Sequence, residues 1–161
     1  MKILQFKIGG DYDYNVVFET LTEKRKIQTN EVPRDELTKA VVNVVAAAET
    51  FFRFTDITMA FRQISFSYPQ NAPQGFVLEM VVRSKENIYV THTLKTEKLF
   101  LRSEDTASTN LEFETRMMQQ NDLIEKIRAL RDEIEVYAAG SKMQQELFEE
   151  DDTEEDDDIT Y

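Results

Sequence analysis

The sequence predicts an α+β fold: a mostly antiparallel sheet of about five to six strands, one helix after strand 2, and a long C-terminal helix leading into a disordered acidic tail. Three observations predict it. Two blocks of period-two apolar alternation, near residues 2 to 22 and 57 to 102, contain only short turn-forming connections. After each block, apolar residues recur at spacings of three and four, the period of a helix with one buried face. Charge then breaks sharply, with ten acids and no Lys or Arg from Glu146 to Tyr161.

With 161 residues, 41% of them hydrophobic and including 11 Phe and 6 Tyr, the chain suffices for one compact domain, 1–147, plus a tail, 148–161. The absence of Cys excludes a disulfide framework and a thiolate zinc site. Met1 to Ile8 is too short and too interrupted for a signal peptide, and no apolar run approaches membrane-spanning length. A cytoplasmic protein is expected, in the host cytoplasm if it is phage-encoded. The net charge of -12 is concentrated: outside the ten terminal acids, 21 acids face 19 bases. A near-neutral body can carry a basic face, for which a tethered polyanion competes with nucleic acid.

In chain order, Leu4, Phe6 and Ile8 alternate with Gln5 and Lys7, the pattern of a half-buried strand. Gly9-Gly10-Asp11 is a turn, and Tyr14, Val16 and Phe18 line the inner face of a second strand reaching Thr22. Lys24-Arg25-Lys26, the densest basic cluster, sits at or beyond its end, as a solvated edge or a phosphate contact. Pro33, Asp35 and Glu36 mark a helix start. Leu37, Val41, Val44, Val45, Ala48, Phe51 and Phe52 give that helix a core-facing stripe to about Arg53.

Ile57, Met59 and Phe61, continuing through Ile64 and Phe66 to Tyr68, restore the strand period. Turn formers from Pro69 to Gly75 lead into a strand with Phe76, Leu78, Met80 and Val82 inward. After Ser84 to Asn87, a further strand alternates Ile88, Val90, His92 and Leu94 with Tyr89, Thr91, Thr93 and Lys95, and a short last strand covers Lys98 to Arg102. Ser108-Thr109-Asn110 can cap a helix of about 110–139 whose Leu123, Ile127, Leu130, Ile134 and Tyr137 follow a coiled-coil seam. The seam packs on the sheet or pairs with a second chain; its narrowness favours a homo-oligomer. Gly140-Ser141 interrupts the helix, and Met143, Leu147 and Phe148 suggest one more amphipathic turn or two before the tail.

The outward face of the second block collects Arg62, Arg83, Tyr89, Lys95, Lys98 and Arg102, with Lys85 at a turn. Cations follow phosphates while bases stack on aromatic rings, so this mixture suits single-stranded nucleic acid. Any half-solvated antiparallel sheet has a polar face, however, and the balance is tipped by the tail. Trp is absent, leaving Tyr68, Tyr89, Phe54 or Phe100 as stacking platforms.

Signals of catalysis are missing from the sequence. His92 is the only His and alternates with apolar residues, as a core or edge histidine does. Gly9-Gly10 belongs to no phosphate-loop pattern. The reading is a non-enzyme with no cofactor and no metal.

The chain closes on Asp156-Asp157-Asp158-Ile159-Thr160-Tyr161, where two apolar side chains follow ten residues without one. This ending resembles the C-terminal tip of bacterial single-stranded DNA-binding proteins, Asp-Asp-Asp-Ile-Pro-Phe, with Thr160 in place of Pro and Tyr161 in place of Phe. The resemblance covers these six residues; the body shows neither the strand order of that family's barrel nor a Gly/Pro/Gln-rich linker. It implies a partner pocket that buries Tyr161 and Ile159 and pairs with the terminal carboxylate, while Asp156, Asp157 and Asp158 speed encounter with a basic rim.

Together these readings lead us to expect a single-stranded DNA-binding protein of replication, recombination or repair, of a phage or a cell. It would bind DNA through Lys24, Arg25, Lys26 and the outward face, and enzymes through the tip. Two alternatives remain: an adaptor or decoy occupying pockets meant for such tips without binding DNA, and a coiled-coil assembly protein with a solubilising tail.

Overall fold

The computed structural model describes residues 1–10, 13–87, 89–102 and 110–149, with the backbone alone for 141–149. The fold is α+β. Its elements run β1 (Lys2–Ile8), β2 (Tyr14–Glu19), β3 (Lys24–Thr29), α1 (Asp35–Phe52), β4 (Ile57–Ser67), β5 (Gly75–Ser84), β6 (Thr91–Lys95), β7 (Leu99–Phe100) and α2 (Leu111–Glu149). Every strand pair is antiparallel, in the order β3-β2-β1-β4-β5-β6, and β7 also pairs with β5.

Helix α1 follows the third strand rather than the second, because Lys24 to Thr29 forms a strand of its own. Its six residues pair in register with β2, from Glu19 opposite Lys24 to Tyr14 opposite Thr29. Only Ile27 of β3 is buried. Apolar patterning is therefore nearly absent from it, and Lys24 and Lys26 do what charged residues do on an edge strand, discouraging further pairing.

Two bulges set which side chains face inward. The register of β1 shifts between Ile3 and Gln5, so Ile3 joins Phe6 in the core and Leu4 is only half-buried. In β4 the shift lies between Phe61 and Gln63. Apolar residues accordingly change parity there, from Met59 and Phe61 to Ile64 and Phe66.

Both helices pack on one face of the sheet. Leu37, Ala40, Val44, Ala47, Ala48 and Phe51 of α1 and Leu123, Ile124, Ile127, Leu130, Ile134 and Ala138 of α2 are buried with Ile3, Phe6, Val16, Phe18, Ile64, Phe66, Phe76, Leu78 and Met80 of the sheet. The seam of α2 is thus covered within its own chain, and its narrowness needs no second copy to explain it. Arg34 binds Glu133 at 2.8 Å, joining the start of α1 to α2, and Arg116 donates to the Phe51 carbonyl at the other end.

Asn110 caps α2 by accepting the Phe113 N–H at 3.1 Å. The helix does not end at Gly140-Ser141 but continues to Glu149. An interior Gly costs only about 1 kcal/mol relative to Ala. No described Gly adopts the positive φ of a left-handed cap, so nothing turns the chain there. Phe148 and Glu149, expected to open the tail, belong to this helix. No helix among the described residues is long and apolar enough to cross a membrane.

Candidate nucleic-acid interface

Strand alternation fixes what the helix-free face of the sheet presents. Because Ile3, Phe6, Val16, Phe18, Ile64, Leu78 and Met80 point to the helices, their strand neighbours point the other way. In-register rows on this open face include Lys24 and Glu19; Lys26, Val17, Gln5, Ser65 and Val77; and Gln28, Asn15, Lys7, Gln63, Glu79 and Lys95. Beyond the β4 bulge follow Ala60, Val81 and Thr93, then Thr58, Arg83 and Thr91. None of these side chains is buried.

Arg62 lies in the bulge and reaches Glu79 at 3.0 Å, which places it on the same face. Lys98 reaches the face from the β6–β7 connection. Gly75 pairs with Ser67 on this side, and a Cβ built on it would stand 2.7 Å from Lys98 Cε. The missing side chain of Gly75 is the space that Lys98 occupies. Lys2, in register with Glu19, lays its ammonium 5.6 Å over the Tyr68 ring instead. The face therefore gathers seven cations (Lys7, Lys24, Lys26, Arg62, Arg83, Lys95 and Lys98) with two strand acids, Glu19 and Glu79, while Glu97 is exposed in the connection. Of the seven, only Arg62 makes an ion pair among the described residues. Phe100, in register with Gly75 and 42% exposed, adds an aromatic ring at the Lys98 end.

The structure thus brings together Lys24, Lys26, Arg62, Arg83, Lys95 and Lys98. Arg25 departs from the set: in register with Phe18, it points to the helix side and lies 3.8 Å from Glu23. Tyr89 departs as well, lying 90% exposed in the β5–β6 connection because β6 begins only at Thr91. Lys85 occupies the same connection, its N–H bound to the Asp56 carbonyl at 3.0 Å. Arg102 is exposed beyond β7, past the last strand pairing. Lys7 stands outside the predicted set, although its alternation opposite Phe6 and Ile8 assigns it to this face.

Among the suggested stacking rings, Phe100 alone lies on the open face. Tyr68 is half-buried on the helix side with its hydroxyl donating to the Ile3 carbonyl, and Phe54 stacks on Phe52. His92, in register with Val82, is exposed on edge strand β6. Among the described residues no group of three or more His, Cys, Asp or Glu is placed to hold a metal ion. Asp156, Asp157, Asp158, Ile159 and Tyr161 lie outside the described residues.

Compared with protein-family models, curated proteins and solved structures, the chain matches none.

Proposed function

We propose that this chain is a non-catalytic protein that binds single-stranded DNA on the open face of its sheet and recruits replication and repair enzymes through Asp156 to Tyr161. The observation that carries the reading is the segregation of charge. Seven cations against two strand acids line a surface that neither helix covers, in a chain whose net charge is -12. A flat, solvated sheet face with cations spread along it follows the phosphates of an extended strand, and exposed rings at its margin supply stacking. The ten acids from Glu146 onward are chemically suited to compete with DNA for the same cations.

The test is fluorescence anisotropy of a labelled oligo-dT with the full chain and with a chain ending at Phe148, at low and moderate salt. Binding by the shorter chain that is tighter than that of the full chain, and weaker as salt rises, is the expected outcome. Absence of binding by both forms overturns the DNA reading and leaves an adaptor acting through the tip. For the tip itself, removing Ile159 to Tyr161 is expected to abolish capture of enzymes that bind such C-termini while oligo-dT binding persists.

A further inference from the structure

Strand β1 pairs with β4 only as far as Lys7 opposite Gln63, whereas β4 continues six residues further, to Ile57, with β5 alongside up to Ser84. Gly9 turns the chain towards β2, its N–H bound to the Asp13 carbonyl at 2.8 Å. Between this turn and the projecting part of β4 the sheet lacks one strand. The resulting notch opens on the helix-free face with a volume of about 530 Å³. Lys7, Arg62 and Arg83 line it, Ala60 and Val81 contribute small side chains, and Gly10 stands at its edge.

We propose that this notch is a phosphodiester-binding subsite that anchors one extended polynucleotide strand, an inference that rests on the function proposed above. Three independent features point there. Three of the seven cations of the open face converge on this concavity, whereas the one at the β3 end sets Lys2 and Lys24 against Glu19 and Glu23. No strand runs beside the backbone of β4 from Ile57 to Arg62 on the β1 side among the described residues, so its edge amides add donors to the guanidinium and ammonium groups. β1, β2 and β3 stop at Ile8, Tyr14 and Thr29, so β4 presents a free strand edge there, along which one extended chain can lie at the spacing of neighbouring strands, about 5 Å. The small side chains of Ala60 and Val81 let a sugar-phosphate backbone approach the sheet. The one ring among the lining residues, Phe61, is half-buried and packs 5.7 Å from Phe6 of the core, so the subsite takes phosphate and sugar without selecting a base.

Arg62 is shared between this site and Glu79. A phosphate in the notch competes with that carboxylate for the guanidinium, and the planar fork of Arg can hold both at once. Arg83 and Lys7 make no ion pair among the described residues.

The experiment compares two double variants of the full chain, each removing two positive charges from the open face: K7Q/R83Q at the notch and K24Q/K26Q at the far edge strand. All four side chains lie on an uncovered face, so both variants are expected to melt at the wild-type temperature. Oligo-dT affinity is expected to fall by about tenfold or more in K7Q/R83Q and by about threefold or less in K24Q/K26Q, since an anchored phosphate contributes more than a diffuse one. Equal losses in the two variants, with wild-type binding intact, overturn the notch and leave the function standing. If the wild-type chain does not bind oligo-dT, the function itself has failed. Amide shifts on adding the 5′-phosphorylated trinucleotide of thymidine then decide the notch. Shifts confined to Lys7, Gly10, Ala60, Arg62, Val81 and Arg83 support it, and their absence overturns it.

Discussion

Tyr68 ties the end of β4 to both layers of the fold, and its chemistry sets a pH dependence. Its hydroxyl donates to the Ile3 carbonyl at 2.7 Å, and the Arg131 guanidinium of α2 lies 6.0 Å from its ring. Burial holds the phenol above its ordinary range, with the Arg131 charge opposing. A group whose folded-state pKa is raised contributes stability that is complete below its unfolded value, about 10, and is lost as pH rises through the folded value. Tyr68→Phe is therefore expected to lower stability at neutral pH by ~1 kcal/mol and to flatten its decline above about pH 10. Thermal melts across that range check this, and parallel declines for wild type and variant would exclude the assignment. Glu79 plays an opposite part on the other face. It binds Arg62 and lies in register between Gln63 and Lys95, so it screens two cations at the centre of the proposed DNA surface. Glu79→Gln is expected to raise oligo-dT affinity by roughly threefold, read by the same anisotropy titration; a loss of affinity would mean that Glu79 positions Arg62 instead of competing for it.

Helix α2 holds the two layers together, and its stripe of Leu123, Ile124, Ile127, Leu130, Ile134 and Ala138 is fully or almost fully buried. Removing three carbons from its middle with Ile127→Ala is expected to cost ~2 to 5 kcal/mol, the range for a fully buried aliphatic side chain. Because that stripe packs on its own sheet and on α1, the loss is expected to be independent of protein concentration; a melting temperature that rises with concentration would instead place the stripe between chains. Gly75→Ala is a sharper test of the opposite face, since the added Cβ would meet Lys98 Cε at 2.7 Å and the Leu99 carbonyl oxygen at 3.1 Å. The lysine tip can move but the β7 backbone resists, so the variant is expected to lose stability and shift Lys98 off the face. The apolar seam of α2 was legible because a helix repeats its core contact every three to four residues. Strand β3 was not, because a six-residue edge strand with one buried side chain carries almost no apolar alternation. The bulge of β4 left a visible trace, the parity change between Phe61 and Ile64, whereas that of β1 was concealed by three consecutive residues, Ile3, Leu4 and Gln5, that fit either register.

At the scale of the whole molecule, the two sides of the sheet carry opposite charge. Among the described side chains, helices α1 and α2 hold ten acids and five bases, while the open face holds seven cations and two strand acids. Composition alone concealed this division, because a near-neutral sum is the same whether charges are mixed or sorted by layer. Only strand register sorts them, and register depended on β3 and the two bulges, the features least visible in the sequence. That is why six of the predicted cations assemble on the open face and Arg25 does not, whereas the place of Lys7 is legible from its alternation with Phe6 and Ile8. The division yields a quantitative expectation. Single-strand affinity falls with salt at a slope of about -0.7 per phosphate neutralised in a log–log plot. If about four of the seven cations engage phosphates together, the slope for the chain ending at Phe148 is about -3, and affinity drops roughly sixtyfold between 50 and 200 mM salt. K7Q/R83Q in that same shortened chain, removing two contacts, is expected to bring the slope to about -1.5. A slope near zero in the wild-type chain would mean that binding, where it occurs, does not use the open face. An unchanged slope in K7Q/R83Q would mean that the phosphates are held by Lys24, Lys26, Lys95 and Lys98, with the strand bypassing the notch.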